Sequence, residues 1–172
     1  MKSALLVIAP TVFRDEEYAV PKGILEARGA RVTTASTKPG EAVGKLGMRA
    51  TADLSIAQAA EKEWDSVTFV GGAGASVFFD DPVAHQLARS VLESGGIASA
   101  ICIAPSTLAH AGLLEGIAAT AFPSQEADLK AHGARWTGEP VTLDGRILTG
   151  NGPEAADEFG HTLADLLGLD RE

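Results

Sequence analysis

The sequence predicts an α/β fold built on a mostly parallel sheet. Three observations carry that prediction. Short apolar runs, the continuous one at residues 5–9 and the largely apolar one at 97–101, suit strands buried on both faces. Segments with apolar residues at helical spacing lie between them. Glycines, 19 in all, fall singly or in pairs between the periodic segments and so punctuate turns rather than signal disorder. Strands alternating with helices make a parallel sheet the natural outcome.

Each element follows in order. Residues 5–9 form the first strand. Residues 15–28 suit a helix with Val20, Ile24 and Ala27 on one face. Pro21 either kinks that helix or sits in its first turn, and Gly29 ends it. Residues 31–35 are a second strand. Residues 43–56 are irregular, with a small hairpin around Gly47. Residues 67–70 are a third strand and run into Gly71-Gly72-Ala73-Gly74. The helix at 82–93 aligns Val83, Leu87 and Val91. The strand at 97–101 leads straight into Cys102, and a helix starts near Pro105, a residue suited to a first turn. A strand at 119–122 precedes a helix at 124–132. The runs 141–143 and 146–149 flank Asp144-Gly145, a hairpin signal. A last helix, 153–167, aligns Ala156, Phe159, Leu163 and Leu166.

Composition narrows the function classes. The chain of 172 residues fits one domain spanning 1–172. Lys and Arg number 14 against 23 Asp and Glu, a net charge of -9, which argues against nucleic acid or an anionic membrane as partner. No stretch reaches membrane-spanning length, and the N-terminal apolar run is too short for a secretory signal, so a cytoplasmic location is expected. The one cysteine, Cys102, excludes an internal disulfide and a cysteine-rich zinc cluster.

Ligands of open α/β sheets bind beyond the carboxyl ends of the strands. Glu16 and Glu17 follow the first strand, the glycine turn follows the third, and Cys102 follows the fourth. A thiol at the start of a helix gains acidity from the free amides there; a buried structural cysteine fits the local sequence equally well. Glutamates opening a helix commonly just complement its dipole, but here the topology places them beside Cys102. Gly72-Ala73-Gly74 begins a dinucleotide pattern that Val77 breaks, and no Lys-Ser or Lys-Thr completes a phosphate loop. Its amides could hold an oxyanion, or the turn could simply need positive φ. The histidines, His85, His110, His132 and His161, show no metal-ligand spacing and read as surface or helix-face residues, with His110 two helical turns beyond Cys102. No metal and no cofactor are expected.

The stretch AICIAPSTLAHAGLLEG, residues 100–116, resembles the cysteine segment of the DJ-1/ThiJ/PfpI superfamily. The supporting pieces run in order along nearly the whole chain: ALLVIAP, DEEYAVPKGILEARGARVTTAS, VTFVGGAG, FPSQEADLKAHGARW, VTLDGRILTGNGP and the final helix. The resemblance implies a flavodoxin-like three-layer sandwich, related to class I glutamine amidotransferases and assembled as a homodimer or larger homo-oligomer. It implies that Cys102 is a reactive cysteine at a strand-to-helix elbow. Glu17, four residues before Pro21, matches the family acid that touches the sulfur. Gly71, Gly72 and the Ile103 amide match its oxyanion pocket, and Phe122, Asn151 and Tyr18 are placed along the pocket wall.

The departures from the family pattern are equally specific. Ile103 stands where protease-like members carry a histidine. Phe122 and Asn151 stand where one branch carries a histidine and an arginine. His161 is followed by Thr162 and Leu163, so the His-x-Glu pair of amidotransferases is missing. Two readings follow. In the first, the protein acts on a small carbonyl or other electrophile, with glyoxalase- or deglycase-like chemistry. In the second, Cys102 is a stress sensor that oxidises to sulfinic acid. A non-catalytic binding member is a third reading. Peptide hydrolysis ranks low without a histidine base.

Overall fold

The protein, seen in a computed structural model, is described over residues 1–170. In chain order the elements are β1 (Ser3–Val7), β2 (Thr11–Phe13), α1 (Asp15–Ala27), β3 (Arg31–Ser36), β4 (Gly40–Gly44), β5 (Arg49–Ala52), β6 (Leu54–Ser55) and α2 (Ile56–Ala59). Then come β7 (Ser66–Phe69), a 3-10 turn (Ala73–Phe78), α3 (Pro82–Glu93), β8 (Ile97–Ile101), α4 (Pro105–His110) and β9 (Ala118–Ala119). The chain continues through α5 (Glu126–Ala131), β10 (Arg135–Trp136), β11 (Val141–Asp144), β12 (Ile147–Gly150) and α6 (Ala156–Leu166).

Seven strands make the central sheet in the order β11-β12-β8-β7-β1-β3-β6. Every neighbouring pair is parallel except β11 with β12, the hairpin that Asp144-Gly145 signalled. Alternation along β1 sends Leu5 and Val7 to one apolar layer and Ala4 and Leu6 to the other. Leu87 of α3 and Leu108 of α4 fill the first layer, and Leu25 of α1, Phe159 and Leu163 of α6 fill the second. The expected α/β sandwich with a largely parallel sheet is therefore what the chain forms. No helix among the described residues is long and apolar enough to cross a membrane.

Some local expectations shift. The stripe that α1 buries is Glu17, Tyr18, Pro21 and Leu25, not Val20, Ile24 and Ala27; Ala27 is exposed. The helix packs on both the sheet and α6, and that rotation about its axis carries Glu17 inward. Pro21 lies inside α1, which gives up one hydrogen bond to the Glu17 carbonyl and continues. The run 119–122 keeps only the two residues of β9, which pair with β10 in a separate small sheet. Beyond β9 the chain turns to other partners: the Thr120 amide donates to Thr149 Oγ1 at 3.0 Å. The hairpin at Gly47 is β4 with β5, and β2, too short for a periodic signal, joins β4. Buried Asp15 holds this hairpin against α1 by accepting the Leu46 and Met48 amides at 2.9 Å each.

Arg28 follows α1 and is nearly buried. It donates to the Asp165 carboxylate at 2.7 Å and to the Leu169 and Asp170 carbonyls at 2.6 and 3.1 Å. It thus fastens α1 to the chain end beyond α6. Arg28→Ala is expected to cost about 2 kcal/mol, since several hydrogen bonds to a charged donor vanish together. Urea midpoints would measure it, and an unchanged midpoint would show that the fastening contributes nothing.

Candidate active site

The strands β8, β7 and β1 are parallel neighbours, so their C-terminal ends lie side by side. The segments leaving these ends bring together Cys102, the glycine turn and the start of α1. Cys102 has φ of 66°, a left-handed conformation that costs a non-glycine residue about 1–2 kcal/mol. The surrounding backbone holds it there. Its N–H donates to the Gly150 carbonyl at 2.9 Å, and its own carbonyl accepts the Phe122 amide at 2.8 Å. The following α4 has only six residues, so what favours thiolate is mainly the local amides of Gly72 and Ile103 rather than a long helix dipole.

Gly71 is the contact point. A Cβ there would overlap Glu17 Oε1 and Cys102 Cβ and would lie 2.7 Å from the Ile101 carbonyl oxygen. Only glycine lets the carboxyl and the cysteine close around one backbone position. Gly72 has φ of 97°, and a Cβ on it would meet the Arg14 nitrogen and the Val12 carbonyl. The Arg14 amide donates to the Gly71 carbonyl at 2.8 Å, which fixes the glycine turn against the segment leading into α1.

Glu17 is fully buried. Neither carboxyl oxygen has a well-formed hydrogen bond among the described residues, although the carboxyl lies close enough to interact with the Cys102 thiol and the Gly71 amide. Burial pushes its pKa up to about 7, against smaller lowering effects from the sulfur and from the Arg14 charge. The Cys102 thiol is pushed up to about 11, first by burial and then by the neighbouring Glu17 carboxylate; the amides of Gly72 and Ile103 pull it down. The two groups therefore compete for one proton. A proton on Glu17 removes the repelling charge and so eases thiolate formation, while burial still holds the thiol pKa up.

Of the two adjacent glutamates, Glu16 takes another partner. Arg14 Nε and Nη2 grip its carboxylate at 2.9 to 3.3 Å, holding it below the usual carboxylate range. Arg14 was missed in the sequence. Its signal was the Arg-x-Glu spacing at a helix start, and its charge also acts on Glu17 and Cys102.

The remaining expected site residues divide. Phe122 borders Cys102 through its amide, and its side chain is substantially exposed. Asn151 directly follows Gly150, whose carbonyl receives the Cys102 amide, and its own amide donates to Pro140 at 2.9 Å. Tyr18 departs from expectation. Its hydroxyl pairs with Thr34 Oγ1 at 2.7 Å, and it lines a different cavity with Lys22, Met48 and Asp53. It is the neighbour of Glu17 on a helix and must point about 100° away. The histidines are engaged elsewhere: His85 on the Phe79 carbonyl, His161 facing Asp157, and His110 and His132 around Asp128. The spacing in sequence shows no sign that His110 and His132 meet, yet α4 and α5 bring their rings together.

A model of the DJ-1/PfpI family matches residues 2–166. The chain belongs to this family. It is 36% identical over 165 residues to an uncharacterized protein of Methanocaldococcus jannaschii, covering 93% of this chain and 80% of that one. It is 27% identical over 167 residues to a Caenorhabditis elegans protein named glutathione-independent glyoxalase DJR-1.2, covering 96% and 89%. The crystal structure of a ThiJ/PfpI domain protein from Brachyspira murdochii superposes with a TM-score of 0.93 at 32% identity, covering 96% of each chain. The family match spans β1 through α6, so Cys102, Glu17 and the glycine turn all lie within it.

Proposed function

We propose that this DJ-1/PfpI member is a cysteine-dependent enzyme acting on small 2-oxoaldehydes, converting them with water into 2-hydroxy acids. The observation that carries the reading is the buried Glu17 carboxyl closed against Cys102 around Gly71. The glyoxalase name of the Caenorhabditis elegans relative supports the choice of substrate class.

The chemistry follows from the proton the pair shares. With the proton on Glu17, the Cys102 thiolate adds to the aldehyde carbon, and the new alkoxide takes up that proton. The resulting hemithioacetal oxygen sits by the amides of Gly72 and Ile103. The Glu17 carboxylate then removes the proton from the former aldehyde carbon and returns one to the adjacent carbon through an enediol, while the hydroxyl proton passes from the hemithioacetal oxygen to the neighbouring carbonyl oxygen. The product is a thioester of the 2-hydroxy acid. Water hydrolyses it, releasing the acid and restoring the thiol. Glu17 thus does the work for which other cysteine enzymes use histidine. The homodimer implied by the family resemblance, and a small carbonyl substrate as partner, belong to this proposal.

Purified protein would be given methylglyoxal and assayed for lactate beside Cys102→Ala and Glu17→Gln. Wild type is expected to form lactate and both variants to fall to background. Equal turnover by Cys102→Ala, or none by wild type, would sink the reading.

A second reading rests on the same carboxyl. When protonated, Glu17 can donate to an oxidised Cys102 sulfur and stabilise the sulfinic acid. Intact mass after mild peroxide is expected to show stable oxidation at Cys102 in wild type and a reduced share in Glu17→Leu. An equal share in both would remove the role of Glu17.

A further inference from the structure

The chemistry above uses neither His110 nor His132, although the fold gathers them into a group of metal-ligating side chains. His110 closes α4, and His132 follows α5. Their rings stack, with centroids 4.5 Å apart and planes 22° from parallel. Asp128, one helical turn before His132, places its carboxylate 2.8 Å from His110 Nε2 and 3.6 Å from His132 Nδ1. On the other edge of the His110 ring, Nδ1 meets Asp80 Oδ1 at 2.7 Å. One ligand atom from each of His110, Asp128 and His132 lies within 4.8 Å of the others.

We propose that His110, Asp128 and His132 bind a divalent transition-metal ion of zinc character, at a site separate from Cys102. Two imidazoles and a carboxylate are a protein ligand set that zinc accepts, with water in the fourth position. Imidazole nitrogen disfavours calcium and magnesium, which take oxygen ligands. Asp80 supports the set. By accepting the Nδ1 proton of His110 it fixes the tautomer whose Nε2 coordinates, and it raises that nitrogen's basicity. The ion would take the place of any proton lying between Nε2 and Asp128.

The geometry also states what must move. Ligand atoms around a tetrahedral zinc lie roughly 3.3 Å apart, given bonds of about 2.0 Å, so the 2.8 Å approach of His110 to Asp128 has to open slightly and His132 has to draw in. A coordinated ion lies in the plane of each imidazole, and two stacked rings cannot both meet that condition. The His132 side chain is 38% exposed, so it is the ring free to swing out of the stack and onto the ion. At present its Nδ1 is 2.8 Å from the Asp128 carbonyl oxygen, a contact that leaves Nε2 available.

The test uses the full chain carrying Cys102→Ala, so that the thiol cannot serve as ligand. Titration with Co²⁺ is expected to give the visible absorption of a four-coordinate ion at one equivalent, and Zn²⁺ is expected to displace it. His132→Gln and Asp128→Asn, each added to that background, are expected to weaken Zn²⁺ binding at least tenfold. Asp80→Asn is expected to weaken it about tenfold. Circular dichroism would confirm that His132→Gln, an exposed change, keeps the fold. Unchanged Zn²⁺ affinity in both His132→Gln and Asp128→Asn would overturn the proposal. So would Zn²⁺ binding by wild type that disappears with Cys102→Ala alone, since the ion would then belong to the cysteine.

Discussion

Glu17→Gln is expected to stabilise the protein at pH 8 and to change it little at pH 5. The folded-state pKa of Glu17 is raised from 4.5 to about 7 because burial of the carboxyl outweighs the lowering effects of the Cys102 sulfur and the Arg14 charge. A raised carboxyl favours folding while it is protonated. Its contribution is fully present below 4.5 and is lost as pH rises through about 7. Each tenfold change in proton affinity is worth about 1.4 kcal/mol, so the full loss is about 3 kcal/mol. Glutamine never ionises and escapes it. Urea midpoints at pH 5, 6, 7 and 8 should fall with pH in wild type and stay nearly level in the variant. Parallel pH curves would refute the burial argument. The same variant separates two roles of Glu17. Removing the carboxylate removes its repulsion, so the Cys102 pKa should drop below about 11 and iodoacetamide should alkylate it faster at pH 8. Turnover of 2-oxoaldehyde should nevertheless vanish, because a glutamine cannot carry the proton.

Gly71→Ala is expected to destabilise by about 3 kcal/mol and to slow Cys102 alkylation at least tenfold. The new methyl would collide with three groups at once: Glu17 Oε1, Cys102 Cβ and the Ile101 carbonyl. A carboxyl end can sometimes rotate aside, but this one is fully buried, and the other two groups belong to or adjoin backbone. The control is Gly23→Ala in α1. Nothing lies within 4 Å of a Cβ at Gly23, so the change should be neutral or gain up to about 1 kcal/mol from helix propensity. Equal effects of the two substitutions would mean that crowding at Gly71 is not what selects glycine.

Several elements were legible because they rest on short-range patterns. The α3 helix at Pro82–Glu93, read from its helical spacing, and the β8 strand at Ile97–Ile101, read from its apolar run, have the expected bounds. The β11–β12 hairpin needed only Asp144-Gly145 between two apolar runs. The weaker predictions failed for identifiable reasons. β2 has three residues and β9 two, too few for a period to show. The face of α1 was misjudged because Val20 and Ile24 are apolar yet only half-buried, while the inward stripe includes a glutamate and a proline. Apolarity is a guide to burial, and a buried site acid is by nature the exception to it.

The sequence by itself determined the α/β alternation, the parallel sheet and the placing of Cys102 and the glycine turn at strand ends. These follow from residue period and turn chemistry, which act over a few neighbours. Tertiary structure decided that Glu16 turns to Arg14, where Tyr18 points, and that His110 meets His132 across Asp128. Those outcomes depend on how each helix is rotated about its own axis and on which segments the sheet sets side by side. Both are settled by packing between parts of the chain that are distant in sequence, where no local pattern records them.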